Sequence, residues 1–357
     1  MASLFDPLEV RSIRLRNRIG VSPMCQYNSD EGKASDWHLV HLGSRAVGGA
    51  ALVIAEATAV TAQGRISPTD AGLWSDDQIR PLQRITRFIR DHGAAPGLQL
   101  AHAGRKASTA RPWAVKKGFL GRDEGGWEIV GPSDLPFQPA DPAPKALTLD
   151  EMAAIREAFR AATLRAKAAD FQWLELHAAH GYLLHSFHSP LANKRTDAYG
   201  GSLENRIRFT IETARVMRQE WPRVLPMSVR LSCSDWVAGG WTIQESVVLA
   251  GRLKEEGIDL IDCSSGATVP NVKYPAAPGW QVPFSEAIRS QTGILTAAVG
   301  MISDPKQADE ILKSGKADMV FLARELLRDP YWPLHAATAL GRREALKLPP
   351  PYDYVVR

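Results

Sequence analysis

Two histidines and a phenol stand together in His177-Ala178-Ala179-His180-Gly181-Tyr182, at the end of the apolar run Trp173 to His177. Such side chains at a strand terminus form a candidate catalytic cluster, because imidazole changes charge near neutral pH and is poised for proton chemistry. Imidazole is also the commonest metal-binding side chain, and His185 and His188 follow closely, so a zinc-dependent barrel hydrolase is the competing reading. Two features weigh against it. The segment after the first predicted strand is Pro23-Met24-Cys25 rather than His-x-His, and no clear carboxylate ligand stands at the eighth strand. His38 and His41 repeat the His-x-x-His spacing on a predicted helix, where they read as structural or surface residues. Arg230 lies inside Met227-Ser228-Val229-Arg230-Leu231, and a guanidinium in a buried strand is costly without an anionic or strongly accepting partner. A bound anionic group would serve, and so would an ion pair with Glu56 or Glu175.

Residues so far apart need a scaffold that brings strand ends together. Runs rich in apolar and β-branched residues recur at Ile19 to Ser22, Ala51 to Glu56, Gly97 to Ala101, Trp173 to His177, Met227 to Leu231, Leu260 to Ser264, Leu295 to Val299 and Met319 to Leu322. Each is followed by a loop and a helix-period segment, as parallel βαβ units require, and their near-continuous hydrophobicity predicts burial on both faces. Helix starts are marked by the capping boxes Thr148 to Glu151 and Thr242 to Glu245 and by Asp304-Pro305. These alternations, without a linker or a break in composition, predict an α/β protein: one (β/α)8 TIM barrel spanning residues 1–357, with an extended tail from about residue 348. The long non-periodic stretch Ala103 to Ala146 predicts a lid over the active face. Strand C-termini face the active site in such a barrel. That rule gathers Pro23, Met24, Cys25, Tyr27, Gln99, His177, His180, Arg230, Gly300, Ala323 and Arg324 in one place, with the loops after strands seven and eight as the expected phosphate site.

With 45% hydrophobic and 23% charged residues, the composition is that of a globular protein with a substantial core. The 43 Lys and Arg against 39 Asp and Glu are too slight an excess to argue for a nucleic-acid or membrane partner. Cys25, Cys233 and Cys263 are odd in number and widely spaced, which fits neither a disulfide framework nor a zinc finger and points to a reducing, cytoplasmic compartment. Cys233 and Cys263 read as packing residues. The first twenty residues carry charges throughout, unlike a signal peptide, and no uncharged apolar run is long enough to span a membrane.

The run from Leu174 to Phe209 resembles the signature of the old yellow enzyme family of FMN-dependent ene reductases. There a His-x-x-His-Gly-Tyr run is followed by a pattern that reads here Asn193, Arg195, Asp197, Tyr199, Gly200, Gly201, Ser202, Asn205 and Arg206. Cys25 after Pro23-Met24, and the His102-Ala103-Gly104-Arg105-Lys106 motif, are similar to the thermophilic-like branch of that family. The resemblance extends from Leu15-Arg16-Asn17-Arg18 to Arg328-Asp329-Pro330. It implies a non-covalent FMN reduced by NADPH or NADH, and reduction of an activated alkene, a small-molecule carbonyl or nitro compound. His177 and His180 would bind the substrate oxygen with help from Tyr27, and Tyr182 would supply a proton. Arg230 and Gln99 would hold the flavin, Pro23, Met24, Cys25 and Ala57 would line it, and Gly300, Ala323 and Arg324 would take its phosphate. Ala323 departs from the glycine often found there. A homodimer or homotetramer is implied too, with Arg357 a candidate to reach a neighbouring site; no metal is. The resemblance leaves the role of Lys106 open.

Overall fold

The computed structural model describes residues 2–356. All eight expected strands are present: β1 (Ile19–Val21), β2 (Leu52–Ala59), β3 (Ala95–Ala101), β4 (Trp173–Ala178), β5 (Met227–Ser232), β6 (Leu260–Ser264), β7 (Leu295–Ala298) and β8 (Met319–Leu322). Each pairs in parallel with its sequence neighbour, and β8 closes onto β1, so the ring has no free edge. In the closing register Ile19, Gly20 and Val21 oppose Val320, Phe321 and Leu322. Gly20 is glycine because a Cβ there would come within 2.5 Å of the Phe321 ring.

The strands are buried along their length because helices cover the outside and side chains fill the inside. The helix α1 (Asp36–Val47) follows β1, α2 (Ile79–Asp91) follows β2 and α3 (Leu149–Ala168) follows β3; α2 buries Leu82, Ile85, Thr86 and Ile89, one face of a helical repeat. The start signals act as their chemistry requires. Thr148 and Thr242 accept hydrogen bonds from the backbone N–H of Glu151 and Glu245, and Asp304 accepts from Lys306. A hairpin, Leu8–Val10 paired with Ile13–Leu15, packs its apolar residues against Leu52, Trp173 and Leu260.

Two segments differ in detail from expectation. The stretch Ala103 to Ala146 is not structureless: Thr109 bridges Phe119, and Val130–Gly131 pairs with Lys145–Ala146. The tail is not fully extended, since Pro350–Asp353 forms a helical turn whose first residue is a proline with its φ already suited to a helix. Arg343 ties that turn down by pairing with Asp353 at 3.0 Å. Arg357 lies outside the described residues.

Candidate active site

The chain leaves β4 at Ala178 and turns at once. His180 has φ 58° and Gly181 φ 72°, and a Cβ on Gly181 would meet the Ala267 carbonyl oxygen at 2.2 Å, so only glycine fits there. A left-handed histidine must be held by its surroundings. Ser232 Oγ accepts from the His180 N–H at 2.8 Å, Lys106 Nζ donates to the His180 carbonyl at 2.9 Å and to that of Ala267 at 3.1 Å, and His185 Nδ1 accepts from the Gly181 N–H at 2.9 Å. His185 is backed in turn by the buried Asp235, 3.3 Å away. His185 is therefore a support for this turn rather than a metal ligand.

Three rings converge as a result. The His177 and His180 centroids are 5.2 Å apart and those of His177 and Tyr182 5.0 Å, both edge to face. Burial, and after it Arg230, holds the pKa of both histidines well below the usual value, so each is neutral near pH 7. His177 Nδ1 accepts from the Ala179 N–H at 3.2 Å, which puts the ring hydrogen on Nε2 and makes that nitrogen a donor. His180 Nε2 is 2.7 Å from Ser264 Oγ. Burial, followed by Cys25, Tyr27 and Asp70, pushes the Tyr182 phenol well above its normal range. Among the described residues no three His, Cys, Asp or Glu side chains are grouped as metal ligands would be.

The barrel interior beneath is polar. Arg230 Nε is 3.0 Å from Asp262 Oδ2, because the β5–β6 register sets the two opposite each other. That corrects the choice of Glu56 or Glu175 as the internal partner. Glu56 instead pairs with the buried His38 at 3.1 Å and accepts from the Gln26 N–H at 2.8 Å, so His38 has a structural role. Glu175 accepts from Gln99 Nε2 and from Ser228 Oγ, both at 2.9 Å. Burial, followed by Asp262, pushes its carboxyl up to about 8, and burial pushes that of Asp262 up to about 6. Two carboxyl groups thus share one guanidinium.

Across the mouth, Arg230, Ser264, Gln281, Gly300, Ala323 and Arg324 line a cavity of about 440 Å³, within the range of small-ligand sites. Gly300 has φ 122°, and a Cβ there would strike Gln281. The expected phosphate loops are therefore brought together with Arg230. Pro23, Met24, Cys25 and Tyr27, after β1, are all partly exposed, while Ala57 and Gln99 are buried in β2 and β3. Desolvation of the Cys25 sulfur, and after it Asp70 and Glu56, raises its thiol pKa well above the normal value. Tyr27, also left-handed at φ 50°, meets the exposed Trp113 of the long loop at 5.7 Å. Cys233 and Cys263 are fully buried. Sequence reading missed Asp262, Ser264 and the support that Ser232 and His185 give. The alternation Asp262-Cys263-Ser264 in an apolar strand was the available signal, since residues two apart share a face.

These parts fit FMN. The structure offers a cation for the electron-rich ring edge in Arg230, whose Nε is ion-paired with Asp262 but makes no hydrogen bond among the described residues, and glycine and alanine backbone lies where a phosphate would approach. A parallel barrel with this mouth suits a flavin oxidoreductase. The chain belongs to the NADH:flavin oxidoreductase / NADH oxidase family, which it matches over residues 3–342, and is an FMN-dependent oxidoreductase of the old yellow enzyme type that takes its electrons from a reduced nicotinamide nucleotide. It is 47% identical over 340 residues to an NADPH dehydrogenase of Geobacillus sp. (strain WCH70), covering 95% of this chain and 94% of that one. An NADPH dehydrogenase of Bacillus subtilis (strain 168) is 43% identical over 353 residues, covering 98% of each. Morphinone reductase, solved in complex with tetrahydroNAD, superposes with a TM-score of 0.78 at 27% identity, covering 99% of this chain and 94% of the other.

Proposed function

We propose that the protein is an NADPH-oxidising ene reductase that reduces the activated C=C bond of α,β-unsaturated carbonyl or nitro compounds. One observation carries the reading: two neutral histidines and a phenol converge beside the cavity that Arg230 lines. The relatives named NADPH dehydrogenase support the reductant, with NADH as the other candidate. When bound, FMN supplies the hydride chemistry, taken from the nicotinamide and passed to the β-carbon of the alkene. Arg230 and Gln99 hold its ring, Pro23, Met24, Cys25 and Ala57 line it, and Gly300, Ala323 and Arg324 take its phosphate. One pocket serves nicotinamide and alkene in turn.

The Nε2–H of His177 binds the substrate oxygen, and His180 supplies the second hydrogen bond when that oxygen replaces Ser264 at its Nε2. The His177 donor is in place before the reaction and stabilises the charge that grows on the oxygen without rearrangement, whereas His180 first exchanges Ser264 for the substrate. Tyr27 completes the oxygen's surroundings, and Tyr182 protonates the α-carbon. The zinc hydrolase alternative has no observation in its favour. The loop Ala103 to Ala146 acts as the lid, in a single domain that assembles as a homodimer or homotetramer in the cytoplasm. No helix among the described residues is long and apolar enough to cross a membrane.

The test is an anaerobic absorbance spectrum of the purified protein. Flavin bands that bleach with NADPH and return with 2-cyclohexenone are expected. A reduced flavin that enones and nitroalkenes leave unoxidised would overturn ene reduction, and a protein that takes up zinc but not FMN would revive the hydrolase.

A further inference from the structure

Tyr182 and Asp70 share the wall of a small enclosed cavity at the ends of β2 and β3, otherwise formed by alanines, a glycine and Ile66. Its free volume, about 10 Å³, suits a single water. Asp70 is only 2% exposed. Its Oδ2 accepts from the Ile66 N–H at 2.6 Å and the Ser67 backbone also acts on the carboxyl, while Oδ1 has no well-formed hydrogen bond among the described residues. Buried polar atoms are nearly always satisfied, so an orphaned carboxyl oxygen beside a water-sized space needs a reason. Glu56 and Arg65 are the charged groups that act on Asp70, and it acts in turn on Cys25, Tyr27 and Tyr182. Burial, ahead of the repulsion from Glu56, pushes its carboxyl up to about 8, so it holds a proton at neutral pH. Burial, and after it Cys25, Tyr27 and Asp70, also makes a bare phenolate at Tyr182 very unfavourable. A donor that cannot bear its charge needs a proton from behind.

We propose that Asp70 relays a proton to Tyr182 through a water in this cavity while Tyr182 protonates the α-carbon. The inference rests on the reading of Tyr182 as proton donor. As the phenol O–H bond breaks and the Cα–H bond forms, the water gives a proton to the phenol oxygen and takes one from the Asp70 carboxyl. The carboxylate is then reprotonated from solvent; Asp70 itself is buried, and its neighbour in sequence Thr69 lines an open surface groove. Solvent is the net source of the single proton, and no electron moves in this step. Asp70 acts through Tyr182 and does not touch the substrate.

The test uses FMN-loaded enzyme, reduced and mixed anaerobically with 2-cyclohexenone in mixtures of H2O and D2O. Asp70→Asn keeps an oxygen for the Ile66 N–H but has no acidic proton. Reoxidation should slow on the order of 10- to 100-fold, within the span of general-acid effects. The isotope dependence should change from curved, several protons moving together, to linear. Reoxidation by ferricyanide, which needs no proton on carbon, should keep its rate. Ala59→Val fills the cavity while keeping Asp70, should give the same change, and decides the matter if Asp70→Asn does not fold. Curved dependence and full rate in either folded variant overturn the relay. Tyr182→Phe separates the two readings: wild-type reoxidation there removes the donor assignment and the relay with it, whereas slow reoxidation there with a normal Asp70→Asn removes the relay alone.

Discussion

The two halves of the barrel mouth are built in opposite ways. At the end of β4 the reacting side chains come from one continuous run, and Ser232, Lys106 and His185 fix its backbone from three directions. Across the mouth, Arg230, Ser264, Gly300 and Ala323 come from four different strand ends, and Arg230 Nε and Asp262, ion-paired with each other at 3.0 Å, make no hydrogen bonds among the described residues. The backbone of the first half is held by the protein alone. The second keeps polar capacity in reserve, which matches a region completed by a charged cofactor. Substitutions should therefore separate into those that change rate and those that change cofactor retention.

The largest effect should come from Arg230→Met, which leaves two buried carboxyl groups without their cation. Breaking a buried pair in this way typically costs roughly 3–5 kcal/mol, so a large fall in Tm together with loss of flavin absorbance is expected. Stoichiometric FMN in this variant would break the comparison. Next comes His177→Ala, expected to slow enone-dependent reoxidation on the order of 10²–10³-fold, read by anaerobic stopped flow, with FMN content unchanged. Loss of flavin there would show that the halves are not separate. Ser232→Ala removes the hydrogen bond that Ser232 Oγ accepts from the His180 N–H and the one it donates to the Gly266 carbonyl at 3.1 Å. A loss of about 1 kcal/mol in stability and less than about tenfold in turnover is expected, measured by thermal unfolding and steady-state rates.

The smallest effect concerns pH. Burial, and then Arg105, pushes the Lys106 ammonium down to about 7. The unfolded chain holds that proton up to an ordinary lysine pKa near ~10.4. Between those values the unfolded state binds more protons, so this residue makes stability rise with pH through the window and contributes no slope below it. Lys106→Met should flatten that part of the Tm against pH curve, and an unchanged slope would show the ammonium is not buried as described.

The fold was legible because the barrel repeats one strand-and-helix unit, and each unit carries its own apolar run and cap. Thr148, Thr242 and Asp304 act locally, so their roles follow from neighbours in sequence. The β4 side of the site was legible for the same reason: His177, His180 and Tyr182 lie within one turn of chain. What stayed hidden depends on register and on distance in sequence. That Arg230 faces Asp262 is decided by how β5 and β6 align, and that Asp70 reaches the wall beside Tyr182 depends on two loops from different strands. The end of the tail was misread because Arg343 and Asp353 pin a short turn that local composition does not announce.

The pairing of β1 with β8 also bears on how the protein is made. The first strand of the ring waits, partnered on one side only, until Met319–Leu322 has left the ribosome. Ring closure is thus a long-range event late in synthesis, of the kind that slows folding and leaves a strand edge exposed meanwhile. The cavity wall formed by Leu322, Ala323 and Arg324 arrives with that same final strand. A chain that stops before Met319 therefore lacks both the closing strand and this part of the cavity wall.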